Sequence, residues 1–221
     1  MVQGLPVVTR KIRIKFIKQG ALKFISHLDL CRTMKTALIR AGIPIYYTEG
    51  FNPHPKMVFA LPLSIGASSD CEYMDLKLVA EMSDAEVKER LAAALPVELA
   101  PIAVYEPQVK FAEIGWARYR MTFFGDYGVG SAAKLTEMLT SPMIVMKHTK
   151  NGERETDIQG GIGRFEIVEL EGAAVLDIML KADSANYTNP ELIVQAMKEK
   201  PEDYRIERMG VYLADGITLF V

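Results

Sequence analysis

Charged and apolar residues alternate through Lys11-Ile-Arg-Ile-Lys-Phe-Ile-Lys18, the period of a strand covered on one face. Ile12, Ile14 and Phe16 are thereby assigned to a core, and Lys11, Arg13 and Lys15 to a cationic row on the opposite side. From about His27 the period lengthens to that of a helix. Leu30, Cys31, Met34, Ala37, Leu38 and Ala41 share one face, and Arg32, Lys35, Thr36 and Arg40 the other. Ser26 and Asp29 form an S-x-x-D helix start, in which the hydroxyl satisfies an orphan amide and the acid suits the positive end of the helix dipole. Gly42 ends the helix, with Pro44 beyond it. Cys31, on the apolar stripe, reads as a small core residue.

Further along, Ile43–Tyr47 reads as a short strand, 57–61 as extended chain, Cys71–Leu78 as a strand, Ser83–Leu95 as a helix stopped by Pro96, and Val97–Tyr105 as a strand. That order, β-α-β-β-α-β, is the split βαβ arrangement of a ferredoxin-like domain. Pro107 to Gly115 reads as a linker. The second half then gives a strand at Trp116–Phe124, a helix at 131–140, a hairpin over 143–158 around Asn151-Gly152, and strands at 165–170 and 174–182. A helix from Asn189-Pro190 to about Lys200, a strand at 204–213 and a closing hairpin through Asp215-Gly216 to Val221 complete it. The expected architecture is α+β: two ferredoxin-like domains with antiparallel sheets, 1–107 and 115–221, the second with extra hairpin strands.

Composition narrows the classes. The 221 residues are long enough for a real core. No run of 18 apolar residues exists, the N-terminal stretch is unlike a signal peptide, and two cysteines are too few for a disulfide scaffold, so a cytoplasmic location is expected. The net charge of −2 conceals an asymmetry. Residues 1–60 carry ten Lys/Arg against two acids, a net +8, while residues 61–221 carry 16 against 26, a net −10. A basic block on an otherwise acidic chain is either a solvated face or a footprint for phosphate backbones.

The candidate chemistry gathers in the same block. His27 falls in the first helical turn, where the dipole favours a neutral, base-competent imidazole. It is a candidate base or nucleotide contact, or a helix-start histidine packed against the Gly20 loop. His54 lies between Pro53 and Pro55, which restrict its backbone and lack amide donors. Such a clamp either fixes a functional side chain or makes a rigid connector, with Gly50 and Asn52 shaping the turn. Gly160-Gly-Ile-Gly-Arg164 precedes a strand rather than a helix, so it reads as a turn or bulge, or as a flexible loop bringing Arg164 to RNA. The common RNA recognition motif signature is missing from the sequence, as are metal-ligand spacings such as C-x₂-C and the cysteines for an iron–sulfur cluster. No metal or cofactor is expected.

Gly20-Ala-Leu-Lys-Phe-Ile-Ser-His-Leu-Asp-Leu30, Ala41-Gly-Ile-Pro-Ile-Tyr-Tyr-Thr-Glu-Gly-Phe-Asn-Pro-His-Pro-Lys56 and Ala60-Leu-Pro-Leu-Ser-Ile-Gly66 together resemble the bacterial radical-SAM-linked domain family, free-standing form. The pattern there is G-x-L-R-F-x-S-H-L-D, then S-E-G-F-N-P-H-P, then P-L-x-x-G. Thr48 stands for the usual serine and Lys23 for the usual arginine. The resemblance covers roughly residues 10–80 most specifically. It implies an accessory role beside a radical-SAM enzyme, with tRNA or rRNA rather than DNA as the suspected substrate, and the chain itself is not the radical enzyme.

The expected RNA contacts are Lys11, Arg13, Lys15, Lys23, Arg32, Lys35, Arg40, Asn52, His54, Lys56 and Arg164, with His27, His54 and Asp29 as candidate catalytic groups. Two alternatives stay open. One is a metal-independent endonuclease similar in architecture to tandem ferredoxin-like CRISPR RNA-processing proteins, with His27 and Gly160–Arg164 as its working parts. The other is a protein-docking domain for a partner enzyme.

Overall fold

The structure is a computed structural model that describes residues 9–128, 130–149 and 152–221. The chain is mixed α and β, with largely antiparallel sheet and few helices, and divides into two compact units: residues up to Lys110 together with Val221, and Phe111–Phe220.

In the first unit β1 (Arg10–Lys18) leads through a 3₁₀ turn to α1 (His27–Arg40), then β2 (Val58–Phe59), β3 (Ser68–Leu78), α2 (Asp84–Ala94) and β4 (Pro101–Tyr105). β1 lies between β3 and β4, antiparallel to both, and β2 adds to the far side of β3. The strand order is therefore β4-β1-β3-β2. Ile12, Ile14 and Phe16 are buried with Leu30, Met34, Ala37 and Leu38 of α1 and Val87 and Leu91 of α2, as the two periodicities require.

The segment expected as a strand at Ile43–Tyr47 forms no ladder. It touches β3 through one bridge, Ile45 to Leu78, flanked by bonds from Tyr46 N–H to Lys77 C=O and from Val79 N–H to Pro44 C=O. Pro44 has no amide to donate, and the chain turns away into the 48–54 loop after Tyr47. The two-residue β2 is the segment that takes the place beside β3.

The second unit runs β5 (Ile114–Phe124), α3 (Ser131–Thr140), β6 (Ile144–Thr149), β7 (Gly152–Asp157), β8 (Ile162–Leu170), β9 (Ala173–Lys181), α4 (Glu191–Ala196) and β10 (Tyr204–Leu213). Its main sheet is ordered β10-β5-β9-β8, all antiparallel, while β6 and β7 pair only with each other. With that hairpin set aside, the order repeats that of the first unit. The turn expected at Asn151-Gly152 falls partly outside the described residues.

Helix α4 ends at Ala196 rather than near Lys200. Lys200 Nζ folds back to donate to the C=O groups of Val194 and Gln195, and Pro201 holds the residue before it out of helical geometry. The closing Asp215-Gly216 turn forms, with Asp215 accepting from the amides of Ile217 and Thr218. Beyond it the last residues make one bridge, Tyr212 to Leu219, rather than a strand.

Candidate functional site

The start of α1 is built locally. Ser26 takes an extended backbone, its hydroxyl accepts the Asp29 N–H at 3.1 Å, and it donates to the Asp29 carboxylate at 2.7 Å. Arg32 donates to the same carboxylate at 3.1 Å. The Ser26 and Arg32 hydrogen bonds hold Asp29 below the usual carboxylate range, so it is an anion at neutral pH and no proton donor.

His27 is exposed, and its ring stands edge-on to Phe59 with centroids 5.4 Å apart. Its Nε2 lies 3.5 Å from the Cys31 sulfur, one turn further along. Cys31 is half-buried rather than fully inside, and burial pushes its thiol up. The thiol therefore stays protonated beside the His27 ring. Asp29 gives His27 no orienting hydrogen bond.

His54 sits in a pinned loop. Thr48 N–H donates to His54 C=O at 2.9 Å, Lys56 N–H to Tyr46 C=O at 3.1 Å, and Tyr47 bridges Pro55. The His54 amide donates to the Thr48 hydroxyl at 3.2 Å. Its Nδ1 lies 3.1 Å from that hydroxyl and 3.2 Å from the Asn52 carbonyl. The Asn52 carbonyl can only accept, whereas the Thr48 hydroxyl can donate or accept, so Nε2 of the exposed ring accepts in one tautomer and donates in the other.

No hydrogen bond or ring contact joins His27 to His54 among the described residues. His27 packs on Phe59, which pairs with Met74 in β3, while the His54 loop runs from Tyr46, bonded to Lys77, back to Val58, opposite Asp75.

The expected cationic row of β1 is not an open row. Arg13 is fully buried, with Nε and Nη2 donating to the two Asp75 oxygens at 2.7 and 2.9 Å and further bonds to the carbonyls of Val109 and Val221. A guanidinium so saturated cannot also take a phosphate, which corrects its expected role. Lys15 is half-buried over the Tyr73 ring, and burial pushes the Tyr73 phenol far above its ordinary value, keeping it neutral. Lys11 alone of the three is exposed.

Elsewhere Lys23 lies 4.9 Å over the exposed Phe24 ring, Arg32 is exposed beside Asp29, and Lys35 is half-buried. Arg40 donates to the Ala94 carbonyl at the end of α2. Asn52 and Lys56 are exposed at the pinned loop.

In the second unit Arg164 is exposed just after the glycine cluster. Two of those glycines, Gly161 and Gly163, are packing devices. A Cβ on Gly161 would collide with the Thr188 side chain, and one on Gly163 would come within 2.9 Å of Trp116 and 3.2 Å of Met179. The β8–β9 register slips between Ile162 and Phe165, so the cluster is a turn running into a bulge.

Two features escaped the sequence reading. Phe51, at the tip of the pinned loop, has 112% relative exposure and makes no ring or hydrogen-bond contact among the described residues. Its signal was an aromatic lodged among turn formers, Gly50, Asn52 and Pro53, where no strand or helix could bury it. The second unit also has a groove of about 760 Å³ between α3 and the chain after α4, lined in part by Tyr127, Lys134, Met138, Met143, Met197 and Glu199. No three His, Cys, Asp or Glu side chains among the described residues converge as a metal site, and no described helix is long and apolar enough to cross a membrane.

No curated protein matches the chain. Among solved structures it is similar to one titled "Crystal Structure of an Unknown Protein from Galdieria sulphuraria", at 10% identity over 91% of this chain and 99% of that one, with a TM-score of 0.28. A likeness at that level carries no argument. The family model described as "Uncharacterized protein conserved in bacteria" matches residues 11–190. Over that span, most of its length, the protein is a member of this bacterial family, DUF2344.

Proposed function

We propose that the protein is an accessory RNA-binding module, acting beside a radical-SAM-type enzyme that modifies tRNA or rRNA, and that its first unit is the part that meets RNA. The observation that carries the reading is the placement of charge. The first unit holds 14 Lys/Arg against 11 Asp/Glu, a net +3, and the second 12 against 17, a net −5. With Arg13 buried, Lys15 over the Tyr73 ring and Arg40 tied to α2, the expected contacts left for phosphates are Lys11, Lys23, Arg32, Lys35 and Lys56. The radical-SAM partnership rests on the motif resemblance alone. The shared strand order of the two units supports a duplicated ferredoxin-like ancestry, in which a pinned loop and a helix start flank one small sheet.

Binding of labelled RNA measured against salt tests this. Affinity should fall steeply with salt, and Lys11→Ala or Lys56→Ala should each lower the logarithmic slope by about one. No binding at low salt removes the reading.

The geometry favours cleavage less. His27 faces a protonated thiol, and Asp29 is committed to the helix cap. RNA that stays intact with the protein in EDTA eliminates the endonuclease, whereas loss of RNA that His27→Ala abolishes would restore it.

A further inference from the structure

We propose that Phe51 is a stacking platform for one unpaired base of single-stranded RNA, with the exposed imidazole of His54 in the same loop as a hydrogen-bonding partner for the bound nucleotide. The assignment rests on the RNA-binding reading and adds to it the form of RNA and the residue that grips it.

Single exposed apolar residues are ordinary on protein surfaces and need no function. Phe51 differs in its setting. The loop around it is closed by Thr48 N–H to His54 C=O and by the Tyr47–Pro55 bridge, and stiffened by Pro53 and Pro55. Gly50, at a φ of 122°, takes a conformation that leaves the loop tip projecting. The backbone beneath the ring is therefore restrained before binding, which lowers the ordering cost of a stacking contact.

The neighbouring chemistry is polar. Glu49, Asn52, His54 and Lys56 are exposed in the same loop, and Nδ1 of His54 is held between the Thr48 hydroxyl and the Asn52 carbonyl. A π-face among such polar groups suits a nucleotide better than an apolar peptide, which would strand them. Duplex RNA hides its base faces, so an unpaired base is the ligand the tip can use.

The test compares wild type, Phe51→Ala and Phe51→Trp by fluorescence anisotropy, on a short labelled RNA as a single strand and on the same strand in a duplex. Phe51→Ala should weaken single-strand binding about 5- to 150-fold. Duplex binding, the salt slope and the melting temperature should stay unchanged, and Phe51→Trp should restore affinity. Wild-type binding that Phe51→Ala leaves unaltered overturns the stacking assignment while the RNA reading stands, and leaves the tip to a protein contact. An equal loss on single strand and duplex also overturns it. If wild type binds neither RNA, this assignment and the functional reading fall together.

Discussion

Arg13 and Arg118 make matching ion pairs in their respective units and live under different conditions. Each lies on the first strand of its unit and grips an aspartate of a neighbouring strand through two parallel bonds, Asp75 directly opposite Arg13 and Asp177 two residues off the register of Arg118. Arg13 Nε and Nη2 meet Asp75 at 2.7 and 2.9 Å, and Arg118 Nε and Nη2 meet Asp177 at 2.6 and 2.8 Å. The Arg13 side chain is 0% exposed, whereas that of Arg118 is 42% exposed. Equal bond lengths therefore stand for unequal energies. Water can replace the partner of Arg118, but an Arg13 without Asp75 would remain a charge in a dry site. The pair is a surface contact in the second unit and a structural tie in the first.

The sharpest test of that contrast removes each aspartate in turn. Asp75→Ala should destabilise by about 3–5 kcal/mol, because it strands a buried charge, whereas Asp177→Ala should cost no more than about 1 kcal/mol. Denaturant melts of the two variants measure the difference, and equal losses would break the comparison.

The second unit has its own tight place, where the glycine cluster meets Trp116. Gly163→Ala should cost about 1–3 kcal/mol through forced repacking. Gly160→Ala, with nothing within 4 Å of its Cβ, should be neutral or mildly stabilising. If Gly160→Ala harms the protein as much as Gly163→Ala, the cluster is more than a packing device.

The smallest effects lie at the helix starts. Ser26→Ala should cost about 1 kcal/mol of stability by uncapping α1. At α3 the same office falls to Glu169, whose Oε1 accepts from the amides of Gly130 and Ala132 at 3.0 and 2.7 Å. Glu169→Ala should speed hydrogen exchange at those two amides and leave the start of α1 untouched. The bonds from Ala132 and Gly130 depress the carboxyl of Glu169, as Ser26 and Arg32 depress that of Asp29. Both groups therefore contribute stability that is present above their ordinary values of 4.5 and 3.8 and is lost as pH falls through the lower folded values. An acid titration should loosen both helix starts, and a helix start that tightens on acidification would contradict the sign.

Much of the first unit was legible in the chain. Ser26 and Asp29 marked the start of α1, Gly42, at a φ of 63°, closed it, and the alternation in β1 sent Ile12, Ile14 and Phe16 inward. The pattern also placed Arg13 on the opposite face correctly. It could not say that Arg13 would be buried there. Ile43–Tyr47 misled for a related reason, since its apolar content fits a strand but the 48–54 loop leaves it only a bridge to β3. The candidate site divides the same way. The clamp around His54 could be read from Pro53 and Pro55, while the bare exposure of Phe51 could not.

What the sequence determined alone are features whose partners lie within a few residues: the Ser26 cap, the Asp215-Gly216 turn, the faces of β1 and α1, and the closure of the 48–54 loop. Their geometry follows from chain connectivity, which is local. Tertiary structure decided which charges are dry and which groups complete a bond from far along the chain. Asp75 reaches Arg13 from 62 residues away, and Glu169 caps α3 from 37 residues beyond Ala132. Desolvation depends on what the fold brings near rather than on neighbours in sequence. The cations of the first 60 residues were therefore visible as charge, and only the folded chain separated the buried tie of Arg13 from the exposed lysines.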